Sequence, residues 1–378
     1  MPRPISLTIS VSALRHNLDV VRGRLARVSA ERNVPCPKVW AVIKANAYGH
    51  GIENAVQALG MADGLAMLDL DEAVRTREAG WKGPILLLEG FFEPADIAVV
   101  DAYRLTPVLH CHEQLDMLEK SRLARPVDAY IKVNTGMNRL GFMPADVAHA
   151  YDRALALRRD ERLASIGKMS HFSCADDNAE VTRREQQRFL DTTHGLPGPV
   201  SLCNSAATLS DSVWSALDAG LEQWVRPGIC LYGASPFPDR SAASLGLKPV
   251  QTLSARLLAV RELPAGQPIG YGHTFTTRGV TRTGIVACGY ADGYPRLTAP
   301  DTPVTVDGVP SRLLGRVSMD MMVVDITSVP GARPGSTVVL WGEGGPDIDD
   351  VAKGARTIGY ELMCSVTPRV PRRVVSAS

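Results

Sequence analysis

Short apolar runs recur along the first part of this 378-residue chain, and most are separated from the next by a segment with helical spacing. The runs lack the alternation of apolar and polar residues seen in half-exposed strands, so they are typical of strands buried on both faces. We predict strands at Val39–Ile43, Gly64–Leu68, Ile85–Leu88, Thr106–Leu109, Ala129–Val133, Gly167–Phe172, Val200–Cys203 and Trp224–Leu231.

Amphipathic helices are predicted between most of these runs. Leu70–Ala79 ends at Gly80, and Val181–Leu190 has the same helical spacing. Ahead of the first run, the apolar residues from Leu14 onward repeat with helical spacing, and Ser12 is the predicted N-cap.

Alternating strands and helices form a parallel sheet covered by helices, and about eight such units close a TIM barrel. An open doubly wound sheet is the alternative. The barrel is favoured because residues 1–236 approach the ~250 residues of such a domain, and because no G-x-G-x-x-G follows the first strand. In a barrel, reactive residues are expected at the carboxyl ends of the strands.

Residues 237–378 follow a different pattern. A segment rich in Pro, Ser and Ala begins at Gly233 and breaks the alternation, so we place a domain boundary after residue 236. The strand-like runs beyond it are Gln251–Val260, Thr281–Ala287, Pro303–Val306, Met321–Ile326 and Thr337–Trp341. Turn residues that include the hairpin signal Asp307-Gly308 favour a mainly antiparallel β domain, with a helical stretch near Asp350–Cys364.

The composition favours a small-molecule ligand. A net charge of +1, from 41 basic and 40 acidic residues, creates no field that would attract nucleic acid or an anionic membrane. The seven cysteines include no C-x-x-C pair, and His110-Cys111-His112 lacks a third ligand, so we predict no metal site. Together with the absence of a signal peptide or spanning segment in the sequence, this predicts a reducing, cytoplasmic compartment.

Lys44 ends the first buried run, within KVWAVIKANAYGHG. Burial lowers the pKa of a lysine, which makes its amine nucleophilic toward an aldehyde. Gly49 and Gly51 would then let the backbone approach a ligand. The alternative is that Lys44 reaches out to water and the glycines only form a turn.

Polar and ionisable residues also follow other predicted strands, where the mouth of a barrel would be. They are Lys132, Arg139, His171, Asn204, Ser205, Arg226 and Gly228. The backbone after the last strand, at Arg226–Gly233, would be a phosphate cradle, and no G-x-x-x-x-G-K-[ST] loop indicates a nucleoside triphosphate. An aldehyde bearing a phosphate would suit both the lysine and the cradle, and pyridoxal phosphate is the common one.

Eight motifs in order along the chain carry a family resemblance. They are KANAYGHG at 44–51, KVNTGMNRLGF at 132–142, SHFSCAD at 170–176, CNSAATL at 203–209, RPGICLYG at 226–233, GYADGYPR at 289–296, GRVSMD at 315–320 and TIGYE at 357–361. With them the chain resembles bacterial alanine racemases, which are pyridoxal-phosphate enzymes of fold type III.

The resemblance implies roles for the residues at the barrel mouth. Lys44 would bind the cofactor aldehyde covalently, and Arg226 would face the pyridine nitrogen. Arg139 would approach the phenolic oxygen and the substrate, and Lys132, when carbamylated, would orient it. The remaining cofactor residues implied are Tyr48, Asn204, Ser205, Gly228, Ile229 and Tyr360.

The resemblance also implies racemisation by two bases on a head-to-tail homodimer. Lys44 would serve the D-face of alanine, and Tyr290 of the other subunit would serve the L-face, with His171 linked to Arg226 beside it. The backbone at Met319 would bind the substrate carboxylate. The product D-alanine would belong to peptidoglycan metabolism, whether made or broken down.

Two other functions are weighed against racemisation. A pyridoxal-dependent decarboxylase or aldolase of the same fold would call for an acid at the pyridine nitrogen, where this chain has Arg226. A non-catalytic pyridoxal-phosphate carrier would call for the barrel alone, without the segment that holds Tyr290. One departure from the family is Asn134, where many relatives carry Asp, and it bears on how Lys132 and Arg139 are held.

Overall fold

The computed structural model describes residues 3–217 and 220–376. Strand β1 (Ile5–Ser10) opens the chain and is followed by the parallel strands of the first domain. These are β2 (Lys38–Val42), β3 (Gly64–Met67), β4 (Ile85–Leu87), β5 (Thr106–Leu109), β6 (Val127–Lys132), β7 (Leu163–Met169), β8 (Val200–Ser201) and β9 (Trp224–Val225).

The eight strands β2 to β9 form a closed parallel barrel. Neighbours along the chain pair from β2 to β8, and β9 pairs with β2. The last gap is closed by a parallel bridge between Val200 and Gln223, supported by the Val200 N–H, which donates to the Glu222 carbonyl at 2.8 Å. The predicted TIM barrel is therefore confirmed, and the open doubly wound sheet was wrong.

The strand predicted at Trp224–Leu231 was wrong beyond Val225. Pro227 has no N–H to donate to a ladder, and the chain turns at Gly228 into a 3₁₀ turn at Ile229–Tyr232. The other predicted barrel strands overlap the observed ones, and Thr106–Leu109 matches at both ends.

Helices pack around the barrel between its strands. Those of the first domain are Val11–Arg32, Ile52–Ala58, Leu70–Glu78, Asp96–Ala102, His112–Lys120, Val147–Arg159, Ala179–Thr192, Ser205–Thr208 and Asp211–Trp214. Two further helices, Ile348–Gly354 and Gly359–Ser365, divide the helical stretch predicted near Asp350–Cys364, and Arg356 between them has a positive φ of 56°.

Large side chains in the barrel interior pack against glycines on neighbouring strands. The rings of Trp40 and Trp224 stack with centroids 4.2 Å apart. A Cβ at Gly64 would lie 2.1 Å from the Trp40 ring, and one at Gly167 would lie 2.4 Å from the Tyr130 ring. These glycines are required by close packing of the interior.

The second domain is a mainly antiparallel sheet, as predicted. Its strands are β10 (Gln251–Leu263), β11 (Pro268–Ile269), β12 (Phe275–Thr276), β13 (Thr281–Val286), β14 (Pro303–Val306), β15 (Val309–Leu314), β16 (Met322–Asp325), β17 (Thr337–Trp341) and β18 (Arg372–Val375). The Asp307-Gly308 hairpin joins β14 to β15, and both residues have positive φ. Strand β10 pairs with both β13 and β17, which closes this sheet on itself.

Strand β1 connects the two domains. It lies antiparallel to β10 and parallel to β18, so residues at the start of the chain extend the sheet of the second domain. Its side chains alternate between buried and half-buried. We keep 1–236 and 237–378 as the proposed domains, with β1 as a strand that crosses between them.

The first helix begins two residues earlier than predicted. Ser10, and not Ser12, is the N-cap, because its Oγ accepts the Ala13 N–H at 3.1 Å. The prediction placed the cap too late because the β1 residues before it were not recognised as a strand.

This capping bond predicts a difference between two neighbouring serines. Ser10→Ala removes the acceptor and should lower the free energy of unfolding by about 1 kcal/mol. Ser12→Ala, the matched control, leaves the bond to Ala13 in place and should change stability less. Urea unfolding of both variants measures this, and equal losses would contradict the assignment.

Candidate active site

A cavity of about 200 Å³ opens at the carboxyl ends of the barrel strands. It brings together the predicted residues Lys44, Tyr48, Lys132, Arg139, His171, Asn204, Ser205, Arg226, Gly228, Ile229 and Tyr360. These residues come from widely separated parts of the chain. Parallel strands place their ends at one mouth, which is why they converge.

A larger depression, of about 810 Å³, lies at the opposite end of the barrel, where β4, β5 and β6 begin. Its lining includes Arg77, Trp81 and Arg104, and Arg77 already donates to four backbone carbonyls. We assign the active site to the smaller cavity because that is where buried ionisable groups converge on one space.

The backbone directly after Lys44 is strained. Ala45, Asn46, Ala47 and Tyr48 all have φ between 52° and 55°, so the chain makes a turn of left-handed helix. For non-glycine residues this conformation costs about 1–2 kcal/mol each. Such strain is typical of functional sites, where surrounding structure holds it in place. Here it directs Lys44 and Tyr48 toward the same cavity.

We had expected Gly49 and Gly51 to let the backbone approach a ligand. The structure instead explains both glycines by contacts within the protein. A Cβ at Gly49 would lie 2.4 Å from the carbonyl oxygen of Met363, and one at Gly51 would lie 2.9 Å from the Asn54 side chain. Both also have positive φ. Both are needed for the turn, and Gly49 is also needed for its packing against the helix Gly359–Ser365.

Positive charge dominates the cavity. Lys44, Lys132, Arg139 and Arg226 line it, and Glu89 is the only carboxylate among the lining residues. Burial lowers the pKa of Lys44, and Arg139 lowers it further. Such a cavity suits an anionic ligand and favours a lysine that can lose its proton.

Arg226 is buried and is held by acceptors at the strand ends. Its guanidinium donates to Ser201 Oγ at 2.6 Å and to the carbonyls of Ser170 and Leu202 at 2.6 and 3.0 Å. Burial lowers the pKa of Arg226 to about 10, which leaves it charged at neutral pH.

The contact between Arg226 and His171 fixes the histidine tautomer. Arg226 Nη2 lies 3.3 Å from His171 Nδ1. Because a guanidinium has no acceptor, Nδ1 must accept, and the proton of the neutral ring is on Nε2. Burial and the charge of Arg226 lower the pKa of His171 well below its usual range, so the ring is neutral. Its Nε2–H is left as a hydrogen-bond donor.

Hydroxyl groups and backbone close the other side of the cavity. The Gly228 N–H donates to Ser205 Oγ at 2.8 Å, and a Cβ at Gly228 would lie 2.5 Å from Tyr48 Oη. Tyr48 also packs near Tyr360, with ring centroids 5.8 Å apart. Burial raises the pKa of both phenols, so they stay protonated and can donate to an anion.

Two asparagines order loops at the mouth. Asn204 caps the helix Ser205–Thr208 by accepting the Ala207 N–H at 3.1 Å. Asn134 Oδ1 accepts the N–H groups of Gly136 and Asn138 at 3.2 and 3.0 Å, which shapes the loop that leads to Arg139. A neutral amide oxygen thus forms here the bonds that a carboxylate could also form.

Tyr290 and Met319 are not in this cavity. Their loops belong to the second domain, and the two residues are 37% and 54% exposed. The two loops contact each other, since the Tyr290 N–H donates to the Ser318 carbonyl at 3.1 Å. Within one chain, Tyr290 therefore lies outside the cavity that Lys44 lines.

Glu89 was not predicted as a site residue. It follows β4 at a strand end, as Lys44 follows β2, so the strand-end rule could have found it. It raises the pKa of Lys44 and Lys132 and so opposes the effect of burial on both. Apolar lining residues such as Met169 had no chemical signal in the sequence.

The family model for the N-terminal domain of alanine racemase matches residues 9–236, and the model for its C-terminal domain matches residues 250–374. The chain belongs to the alanine racemase family. The alanine racemase of Bordetella avium is 56% identical over 376 residues, which cover 100% of both chains. That of Paraburkholderia phytofirmans is 52% identical over 374 residues, which cover 99% of each.

Solved alanine racemases share the fold over the full length. The biosynthetic alanine racemase of Pseudomonas aeruginosa has a TM-score of 0.89 at 41% identity, with 99% of each chain covered. The alanine racemase of Bartonella henselae, solved with covalently bound pyridoxal phosphate, has a TM-score of 0.82 at 26% identity, over 99% of this chain and 100% of that one. Among the described residues, no helix is long and apolar enough to cross a membrane.

The lowered pKa of Lys132 predicts how the stability of the protein depends on pH. Burial lowers its pKa from 10.5 to about 8, so between these values the unfolded chain binds more protons than the folded chain. The free energy of unfolding should therefore rise with pH across this range. Lys132→Met should flatten the rise.

The measurement is urea unfolding of the cofactor-free protein in carbonate-free buffer, which keeps the Lys132 amine unmodified. Lys120→Met, at an exposed helix end, is the control and should keep the wild-type slope. Parallel curves for wild type and Lys132→Met would contradict the assignment.

Proposed function

We propose that this chain interconverts L-alanine and D-alanine with pyridoxal phosphate, using Lys44 and Tyr290 as bases on opposite faces of Cα. The observation that carries this is the cationic cavity around Lys44 in a chain that belongs to the alanine racemase family. Racemisation removes a proton from one face and returns one to the other, so it needs two acid–base groups.

The cavity residues suit pyridoxal phosphate. Tyr48, Tyr360 and Ser205 supply hydroxyls, and the missing side chain at Gly228 leaves room beside Tyr48. These residues, with the backbone at Ile229, would hold the phosphate. Lys44 would hold the aldehyde, since its lowered pKa favours the nucleophilic amine. The bound cofactor would withdraw electrons from Cα and so acidify its hydrogen.

Arg226 would be the partner of the pyridine nitrogen. A guanidinium donates a hydrogen bond but does not give up its proton readily, so it would limit how far negative charge spreads into the ring. Its position is fixed by the acceptors on Ser170, Ser201 and Leu202. Limited delocalisation favours prompt return of the proton to Cα over competing reactions. A decarboxylase or aldolase would place an acid at the pyridine nitrogen. Apart from Glu89, the described lining of the cavity contains no acid.

Arg139 and Lys132 would act on the cofactor and substrate oxygens. Arg139 is exposed at the cavity rim, and its loop is ordered by Asn134. The lowered pKa of Lys132 makes its neutral amine accessible near pH 8, and the neutral amine is the form that carbamylation requires. A carbamylated Lys132 would present a carboxylate to Arg139.

The second base would come from a second copy of the chain. Tyr290 is exposed on the β domain and does not line the cavity of its own chain. Exposed Met319 and Met321 lie on the loop that contacts the Tyr290 turn, and apolar exposure of this kind is typical of an interface. A head-to-tail dimer would bring Tyr290 and the Met319 backbone to the partner's cavity. There the His171 Nε2–H could stabilise a Tyr290 phenolate.

Isotope incorporation tests the reaction. L-Alanine incubated with the cofactor-loaded protein in deuterated buffer should give D-alanine carrying deuterium at Cα, because the proton delivered comes from a group that exchanges with solvent. Mass spectrometry after chiral separation measures it. Release of carbon dioxide would favour a decarboxylase, and absence of any turnover would favour a non-catalytic carrier.

Mixing two inactive variants tests the shared site. Lys44→Ala and Tyr290→Phe should each lose conversion of L-alanine. In a mixed dimer, one site combines an intact Lys44 with an intact Tyr290. After subunit exchange at equal amounts, about a quarter of wild-type activity should return, since half the dimers are mixed and each has one good site.

Absorbance spectra provide the control for this mixing experiment. Tyr290→Phe should keep the absorbance of lysine-bound cofactor, and Lys44→Ala should lose it. If mixing restores no activity although the subunits exchange, the two residues do not serve one site across chains.

A further inference from the structure

Four charged side chains surround the turn that carries Tyr290. Arg3, Asp292, Asp320 and Arg369 come from four separate segments of the chain and form one ionic cluster. Arg3 pairs with Asp320 at 2.7 Å, and Arg369 pairs with the same carboxylate at 2.6 Å. None of the four lines the cavity at the barrel mouth.

Asp292 is the buried centre of this cluster. It has 0% exposure, and its carboxylate lies 2.8 Å from Arg369 Nε and 3.7 Å from Arg3 Nη1. The same carboxylate accepts the Gly289 N–H at 2.9 Å. It therefore ties the first residue of the Tyr290 turn to two cations from distant segments.

The cluster also fixes the turn relative to the Met319 loop. The Ala291 N–H donates to the Met319 carbonyl at 2.9 Å, alongside the bond from Tyr290 to Ser318. Asp320 follows Met319 directly and binds the two arginines that Asp292 binds. The phenol and the Met319 backbone are thus held as one unit.

The opposite side of the turn rests on the segment that leads to β18. Thr367 donates its N–H to the Asp292 carbonyl and its hydroxyl to the Ala291 carbonyl, at 3.1 and 3.0 Å. A Cβ at Gly293 would lie 2.3 Å from the carbonyl oxygen of Ser365. The turn is therefore enclosed on both sides, and only its outward face, with Tyr290, is free to meet another surface.

The energetics of the cluster favour a geometric role over a stabilising one. Arg3 and Arg369 are 33% and 39% exposed, and ion pairs at such positions contribute little to stability. A buried carboxylate, however, is costly unless cations and N–H donors surround it. Asp292 carries that cost directly beside the turn that presents Tyr290. A carboxylate that accepts a backbone N–H of the turn and pairs with two cations from distant segments restrains the conformation of that turn.

We propose that Asp292 is a positioning residue for Tyr290, and that the Arg3–Asp292–Asp320–Arg369 cluster sets where the phenol and the Met319 backbone stand as they enter the partner's cavity. This inference rests on the proposed two-base function. It predicts a larger defect on the L-face of the substrate than on the D-face, because the cluster holds the Tyr290 turn and does not line the cavity of Lys44.

The test measures two rates in deuterated buffer: the entry of deuterium into D-alanine, called exchange, and the formation of L-alanine, called conversion. With D-alanine as substrate, Lys44 can remove the α-proton and return deuterium to the same face, whereas formation of L-alanine also needs Tyr290. Asp292→Asn should slow conversion about 10–100-fold, the usual effect of a misplaced catalytic group. Deuterium entry into D-alanine should persist, so the ratio of exchange to conversion should rise at least several-fold.

Asp325→Asn is the matched control. Asp325 also pairs with an arginine in the β domain, with Arg312 Nη2 at 3.1 Å, but it is not part of the cluster around Tyr290. This variant should keep the wild-type ratio. A ratio that stays at the wild-type value in Asp292→Asn, with both rates unchanged or reduced together, would overturn the proposal and leave Asp292 a structural residue.

Arg369→Gln keeps the proposal testable if Asp292→Asn does not fold. Arg369 is partly exposed, so its loss should be tolerated, and it should raise the same ratio in the same direction. Arg369→Lys keeps the charge and should restore part of the wild-type ratio. If the wild-type protein racemises alanine but Asp292→Asn and Arg369→Gln both keep the wild-type ratio, only this inference is refuted. A wild-type protein that does not racemise alanine would instead refute the proposed function.

Discussion

The buried guanidinium of Arg226 joins the ends of three barrel strands and thereby shapes the whole mouth. Its bonds reach Ser201 on β8 and the carbonyls after β7 and β8, while its own backbone follows β9. These strands flank the point where the barrel closes, so the same interaction that completes the fold also sets the floor of the cavity. It further determines the tautomer of His171, which must accept from a group that can only donate.

The candidate site residues lie in two regions, the barrel mouth and the Tyr290 turn of the β domain, which differ in charge and burial. At the barrel mouth, burial lowers the pKa values of Lys44 and Lys132, neighbouring cations lower them further, and the Glu89 carboxylate opposes both effects. On the β domain, a buried carboxylate and two arginines hold a short turn that carries Tyr290 outward. In the proposed function, the first region would supply a nucleophilic amine and bind an anion, and the second would supply the phenol. Under the proposed two-base function, proton transfer on both faces of Cα would need the two regions of different chains together.

Much of this architecture could be predicted from local sequence. Unbroken apolar runs gave the barrel strands, and the strand-end rule located Lys44, Lys132 and Arg226 in one cavity, although the roles assigned to them came from family resemblance. Strand β1 was missed, although apolar and polar residues alternate in ISLTIS. Its partner β10 lies more than 200 residues away, so no neighbouring segment indicated the pairing. The left-handed turn after Lys44 was not predictable, since alanines give no signal for positive φ. The ionic cluster was also out of reach, because it joins segments separated by most of the chain.

The central claim is that the phenol of Tyr290 in one chain completes the cavity around Lys44 in another. The most direct measurement is a crystal structure of the cofactor-loaded assembly at a resolution that places side chains. The account predicts Tyr290 Oη of one subunit within about 2.6–3.2 Å of His171 Nε2 of its partner, on the face of the cofactor opposite Lys44. An assembly in which every Tyr290 stands away from every barrel mouth, or in which Lys44 points out of the cavity, would contradict it.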